Sequence, residues 1–327
     1  MNILFRHPLN ENWQKELEQL KAEMSEFNYQ YVKEEKWSEE GFNEKMKHAD
    51  VLVSGRITDK EIELAEKLKI LFVPFAGVNS LPLKQLKDKN IKISNAHGNA
   101  FITAERSIAL AFSLLGKLVF YHNELSKGKW YRTHNSDDLW ESMQNKKVSI
   151  LGYGSIGKKI HQFLKPFTNS FTGLKNNIQQ QTEDIQLTNN LEEAISESEI
   201  VFCCLPLTNQ TKHLFNAKNM KLLSGKYVIN VGRGDVFEEE AFFKALESED
   251  IKGAAIDVWY QYPKSNDEVC LPSKFAFHDL KNVVMSPHKA AHSKQAIDDN
   301  RKTTFLNVRE YLKSGKILNE VKPEAGY

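Results

Sequence analysis

The chain has 327 residues, 41% of them hydrophobic and 27% charged, a composition that supplies apolar material for more than one core. Lysines and arginines number 44 against 43 aspartates and glutamates, so the net charge of +1 gives no argument for a nucleic-acid or anionic-membrane partner. No apolar run reaches the roughly 18 residues that a membrane helix needs, and the polar start Met1 to Pro8 does not read as a signal peptide, so a cytoplasmic setting is expected.

In chain order, residues 2–5, 51–54, 70–73 and 91–94 read as short buried strands. The segments between them are charged and helical in pattern; one, at 59–68, has Thr58 as its N-cap. Residues 104–120 read as one long helix, apolar almost all round and therefore buried, between two domains. The polar stretch 128–144 reads as a connection whose Trp130, Tyr131 and Trp140 pack. A second series of nearly continuous apolar runs follows at 148–151, 171–174, 200–205, 227–231, 254–257 and 283–285, the pattern of parallel strands covered on both faces. An amphipathic helix from Ser293 to about Leu312 is expected to return to the first domain. The fold expected is α/β, with two Rossmann-like domains, each a parallel sheet flanked by helices. The substrate domain would be discontinuous, 1–103 plus 292–327, with a dinucleotide-binding domain inserted at 104–291. The three cysteines, Cys203, Cys204 and Cys270, have no metal-site spacing and read as buried reduced thiols; no metal is expected.

The run 147–151 is a strand that enters Gly152-Tyr153-Gly154-Ser155-Ile156-Gly157, after which Ile156, Ile160, Phe163, Leu164 and Phe167 recur at helical spacing. This strand–turn–helix context is what a dinucleotide-binding turn requires. Gly152 allows the tight turn, Gly154 lets the backbone approach a pyrophosphate, and Gly157 lets helix and strand pack closely, while the helix N-terminus offers free amides. The ribose-binding position falls at the end of the next strand, roughly 20 residues on. Lys175 stands there. Lysine cannot accept from ribose hydroxyls but can neutralise a 2′-phosphate, which tilts the expectation from NAD towards NADP.

The strand 227–231 ends in Gly232-Arg233-Gly234-Asp235, at the edge where parallel sheets bind ligands. A guanidinium there can grip a carboxylate with two parallel hydrogen bonds and polarise a neighbouring carbonyl; pairing with Asp235 is the structural alternative. The strand 283–285 leads to Ser286-Pro287-His288. An imidazole suits proton delivery to an alkoxide near neutral pH, with His292 as a nearby competitor.

Together these segments resemble the D-2-hydroxyacid dehydrogenase family. The resemblance runs through Leu71 to Asn79 (with Asn79 where Asp is common), Asn99 to Glu105, Cys204 to Thr208, Asn230 to Gly234, Ala255 to Val258 and Ser286 to His288. It implies that Arg233 binds and polarises a small 2-oxo acid such as glyoxylate or hydroxypyruvate, and that His288 is the acid/base. It implies substrate contacts from the amides of Ala76 and Gly77 and from Asn99, which matches an asparagine of the related formate dehydrogenases. Cofactor contacts fall on Ser155, Ile156, Leu205, Pro206, Val231 and Gly232, with Asp257 at the nicotinamide carboxamide. A homodimer through the cofactor domains is implied as well. Phe75 and Phe101, from the first domain, are candidates to meet the substrate side chain.

The chain departs from the family at Tyr262, where a glutamate usually pairs with the histidine; Gln261 lies one residue before it, and Glu268 or Asp279 could supply the carboxylate from elsewhere. A neutral phenol gives an imidazolium less support than a carboxylate, so a lowered pKa is expected for His288. Two other readings stay open. One is a formate- or phosphite-type dehydrogenase. The other is a catalytically silent NAD(P)-sensing binding protein like the dehydrogenase-like transcriptional corepressors.

Overall fold

Short apolar runs form the strands of two separate sheets in which every neighbouring pair is parallel. The computed structural model describes residues 1–33, 35–132, 139–178, 183–265 and 267–323. The chain divides into one unit made of Met1–Asn99 with Lys294–Tyr327, and another made of Ala100–Ser293.

The first unit holds β1 (Asn2–Phe5), β2 (Asn28–Gln30), β3 (Val51–Val53), β4 (Ile70–Val73) and β5 (Lys92–Asn95), in the order β2-β1-β3-β4-β5. Successive side chains on a strand point to opposite faces. Ile3, Phe5, Val51, Val53, Ile70 and Phe72 therefore gather on one face, under Leu17 and Leu20 of helix Glu11–Glu23 and Phe305, Val308 and Leu312 of helix Lys294–Ser314. Leu4, Leu52, Leu71, Val73 and Ile93 gather on the other, under Phe42, Met46, Ile62 and Leu86. Each fully buried Phe, Leu or Ile contributes about 2 kcal/mol.

The expected helix at 59–68 stops at Leu64, and Thr58 caps it in a reciprocal box: its Oγ1 accepts from the Glu61 amide at 3.3 Å and its amide donates to Glu61 Oε2 at 2.9 Å. The same carboxylate receives both Arg6 Nη1 and Nη2, at 2.8 and 2.7 Å. Burial works to raise the pKa of Glu61, but Arg6 and the Thr58 donors outweigh it and hold the carboxyl low.

The second unit holds β6 (Val148–Leu151), β7 (Phe171–Leu174), β8 (Gln186–Thr188), β9 (Ile200–Cys203), β10 (Tyr227–Asn230), β11 (Gly253–Ile256) and β12 (Val283–Met285), in the order β12-β11-β10-β9-β6-β7-β8. The order reverses between β6 and β9, the point at whose carboxyl ends sheets of this kind bind ligands. Val148, Ile150, Ile200, Phe202 and Ile229 face helices Ala100–Leu115 and Ser155–Leu164; Leu151, Val201, Cys203, Val228 and Ile256 face the opposite layer.

The single helix expected at 104–120 is two, Ala100–Leu115 and Leu118–Leu125, broken at Lys117, whose φ of 49° no α-helix accommodates. Leu118 and Val119 are then exposed rather than buried. Trp130 and Trp140 are 71% and 60% exposed, around a shallow pocket with Tyr121, Leu125, Tyr131 and Leu139, so they do not pack as expected. Phe101 belongs to the second unit, where its ring meets Phe163 edge-on at 4.8 Å. All three cysteines are free, but only Cys203 is fully buried.

Replacing Glu61 with alanine removes the side-chain half of the capping box and leaves Arg6 half-buried without its carboxylate. The expected cost is about 3 kcal/mol in urea unfolding; a loss below about 1 kcal/mol would show that the shared carboxylate is dispensable.

Candidate active site

The turn after β6 is tied to both of its neighbouring strands. The Gly152 and Tyr153 amides donate to the Leu174 carbonyl at 3.2 and 2.9 Å, and the Cys204 amide donates to Leu151 O at 2.8 Å. Gly152 has φ 91°, a left-handed value that favours glycine, and a Cβ there would lie 3.1 Å from the Cys204 backbone. A Cβ on Gly157 would lie 2.6 Å from Gly152 O, so the helix can meet the strand only without a side chain. A Cβ on Gly154, by contrast, would meet nothing within 4 Å. Open space therefore lies over the helix N-terminus, and no side chain caps it. Amides of Ser155 and Ile156 facing free space fit a pyrophosphate. Leu205 and Pro206 follow β9 beside this turn, and Gly232 presses on Leu205, where a Cβ would come within 2.5 Å of its carbonyl oxygen; Val231 donates to Cys203 O at 3.1 Å. Lys175, half-buried at the tip of β7, is anchored through its amide to Thr188 O at 2.9 Å.

Asn230, the last residue of β10, shapes the arginine loop: its Oδ1 accepts from the Gly232 amide and its Nδ2 donates to Arg233 O, both at 3.1 Å. Arg233 Nη1 donates to Gly232 O at 2.7 Å. Burial lowers the Arg233 pKa, with Tyr262 opposing, yet a guanidinium remains charged at any working pH.

Asp257 is 1% exposed at the end of β11. Its Oδ1 accepts from Ser286 Oγ at 2.5 Å and the Lys289 amide at 3.0 Å, and its Oδ2 from the Ala290 amide at 2.9 Å. These three donors flank His288, which adopts φ 54°, a left-handed value rare outside glycine. Trp259 Nε1 donates to Ser286 O at 2.8 Å, and the same carbonyl accepts the His288 amide at 3.0 Å. Nδ1 of the competing His292 lies 3.2 Å from His288 O, a contact with the same turn.

Tyr262 is adjacent to His288, with ring centroids 5.5 Å apart and planes at 52°. Its hydroxyl accepts from the Trp259 amide at 2.9 Å, and among the described residues no hydrogen bond joins it to the imidazole. Glu268 accepts from the Lys264 amide and Asp279 pairs with His278, so neither replaces the usual carboxylate. Burial is the largest influence on His288 and lowers its pKa; Asp257 pulls it up, and Arg233 and His292 push it down. Burial likewise raises the Tyr262 pKa and keeps the phenol neutral.

In the first unit, Asn95 Nδ2 donates to Ala76 O at 2.7 Å and so orders the loop that contains Gly77. Asn99 is buried, its amide donating to Asn300 Oδ1 at 3.1 Å. Phe75 lies over Gly55, where a Cβ would come 2.6 Å from its ring. Sequence reasoning missed Asn230, Trp259 and Ser286 as organisers of the two loops. The signal for Asn230 was present, an amide side chain ending a buried strand just before glycine. Among the described residues no group of His, Cys, Asp and Glu is placed to hold a metal, and no helix is long and apolar enough to cross a membrane.

Residues 108–290 match the family model described as D-isomer specific 2-hydroxyacid dehydrogenase, NAD binding domain. The chain is 28% identical over 277 residues to a glyoxylate/hydroxypyruvate reductase of Arabidopsis thaliana, covering 83% of this chain and 82% of that protein. It is 26% identical over 315 residues to a glycerate dehydrogenase of Methylorubrum extorquens, covering 93% and 96%. The crystal structure of a protein from Pyrococcus horikoshii OT3 superposes with a TM-score of 0.80 at 25% identity, over 99% of this chain and 95% of that one. The chain belongs to the D-isomer specific 2-hydroxyacid dehydrogenase family and is an NAD(P)-dependent oxidoreductase.

A ketone reduction that drew its proton from His288 would need the imidazole protonated, so its kcat/KM should fall as pH rises through the lowered pKa, on the acid side of 6.5. A carboxylate at position 262 restores an opposite charge. Tyr262→Glu should move that limb upward by about one pH unit; a superimposable profile would remove the phenol from the explanation.

Proposed function

We propose that the protein reduces a small 2-oxo acid of the glyoxylate or hydroxypyruvate type to the corresponding D-2-hydroxy acid, preferring NADPH, as a cytoplasmic homodimer. The observation that carries this reading is that Arg233 and His288 leave the carboxyl ends of β10 and β12, in the sheet whose β6 ends in the glycine turn, and that each is held by buried polar anchors. The Arg233 guanidinium takes the substrate carboxylate by its fork and draws electron density from the adjacent carbonyl. His288 holds the proton at the carbonyl oxygen and delivers it as the carbon is reduced; in the reverse direction it receives that proton. A bound nicotinamide supplies the hydride, or accepts it in the reverse direction. Tyr262 orders the neighbouring turn through the Trp259 amide and excludes water from one side of the imidazole.

The substrate roles of Ala76, Gly77 and Asn99 follow the family resemblance, supported by the ordering of the Ala76 carbonyl. So does the nicotinamide role of Asp257, although its two oxygens already serve the His288 turn. Lys175 favours the 2′-phosphate of NADP because it stands at the tip of β7 with no hydrogen bond to hold its ammonium among the described residues. The exposed surface of Leu118, Leu125, Trp130, Leu139 and Trp140 is where a second copy would pair.

Purified protein assayed with NADPH and NADH against a panel of 2-oxo acids, and with both oxidised cofactors against formate and phosphite, tests the reaction. Turnover of glyoxylate or hydroxypyruvate with the lower KM for NADPH is expected, and Lys175→Asp should reverse the cofactor preference. Turnover of formate alone, or cofactor binding without turnover of anything, would replace this reading with one of its rivals. Light scattering should give twice the protomer mass, reduced to one protomer by Trp140→Glu; a monomeric wild type would refute the pairing.

A further inference from the structure

Beneath the cofactor turn lies a polar contact that neither packing nor hydride chemistry calls for. Tyr153, between the first two glycines, directs its side chain into the core, and its hydroxyl lies 2.8 Å from Nδ1 of His161 on helix Ser155–Leu164. Both side chains are buried, at 8% and 5% exposure. The His161 ring meets Phe171 of β7 edge-on at 4.5 Å, and its Nε2 is buried with no hydrogen bond of ordinary geometry. In either neutral tautomer one polar atom of the ring is therefore unsatisfied, a penalty that leucine at this inner helix position would avoid. A Cβ on Gly173 of β7 would come 2.8 Å from Leu187, 3.1 Å from Ile185 and 3.3 Å from Tyr153 Cβ.

We infer that the Tyr153–His161 hydrogen bond is a positioning lock for the phosphate-binding turn. Four backbone bonds already restrain that turn: the Gly152 and Tyr153 amides on Leu174 O, the Gly154 amide on Gly152 O at 2.8 Å, and the Lys158 amide on Gly154 O at 3.0 Å. The first three tie it to β7 or to itself, and the fourth is the opening bond of the helix. The phenol is the side-chain tie from the turn to the helix whose first amides must aim at the pyrophosphate. Fixing turn and helix together means that Ser155 and Ile156 are oriented before a phosphate arrives, so binding carries less ordering cost. Burial and the Lys165 ammonium hold His161 below its ordinary pKa, opposed by the backbone and carboxylate of Asp184, so the ring is neutral where the lock operates. Tyr153 and His161 are buried in the core and act through the backbone between them.

Calorimetric titration of the full-length protein with NADPH and with NADH tests the lock. Tyr153→Phe should raise Kd and the cofactor KM about tenfold, the worth of one ordinary hydrogen bond, with KM rather than kcat carrying the loss. The double variant Tyr153→Phe with His161→Leu exchanges the polar pair for an apolar one. It should regain the thermal stability of the wild type while keeping the raised Kd. A double variant that binds both cofactors as tightly as the wild type would overturn the inference, because the pair would then matter only as buried polarity; so would a Tyr153→Phe variant with unchanged Kd.

Discussion

The carboxylate of Asp257 is almost wholly removed from water, and a charge in that position is tolerable only when donors surround it. Ser286 Oγ and the amides of Lys289 and Ala290 do so. Because all three belong to the turn after β12, β11 dictates the shape of that turn. The left-handed backbone of His288 costs about 1 kcal/mol. Hydrogen bonds to an ionised acceptor are strong enough to offset it. With Trp259 holding Ser286 O as well, the backbone that carries the imidazole is fixed on both sides. A proton donor must hold its place to within roughly 0.5 Å, so this buried anchoring is what a proposal of acid catalysis at His288 requires.

The same principle extends along the sheet. Each loop at the carboxyl ends leans on the backbone of the next: Gly152 on Cys204, Gly232 on Leu205, Gly234 on Trp259, where a Cβ would lie only 2.5 Å from the carbonyl oxygen. A side chain at any of these glycines would force neighbouring loops apart. The ligand-facing edge of the second unit is thus a row of backbone contacts that sets the spacing between the cofactor turn, the arginine loop and the histidine turn. Parallel strands make this possible because all of their carboxyl ends fall on one side.

Much of this was legible in the residues. The central strands of both sheets announce themselves as apolar runs, and the glycine turn is recognisable because a strand precedes it and helical spacing follows. What stayed hidden has physical causes. β2 and β8 are edge strands of three residues, Asn28-Tyr29-Gln30 and Gln186-Leu187-Thr188, with only one neighbour each and no continuous apolar run. The break at Lys117 depends on a backbone conformation that the apolar periodicity on either side conceals. The anchoring role of Asp257 joins positions about 30 residues apart, and spacing along the chain does not reveal such a pairing. Tyr262 stands out in the sequence as a departure from the family, but only the structure shows its hydroxyl turned back to the Trp259 amide.

The helix Lys294–Ser314 covers one face of the first sheet, yet the ribosome makes it after every residue of the second unit. During synthesis Ile3, Phe5, Val51 and Phe72 therefore wait without Phe305, Val308 and Leu312 to shield them. The inserted unit has all of its strands in hand first and can complete its own core, so the order of maturation reverses the order of translation. Until the last helix emerges, the amino-terminal sheet is a natural client for chaperones that hold exposed apolar surface.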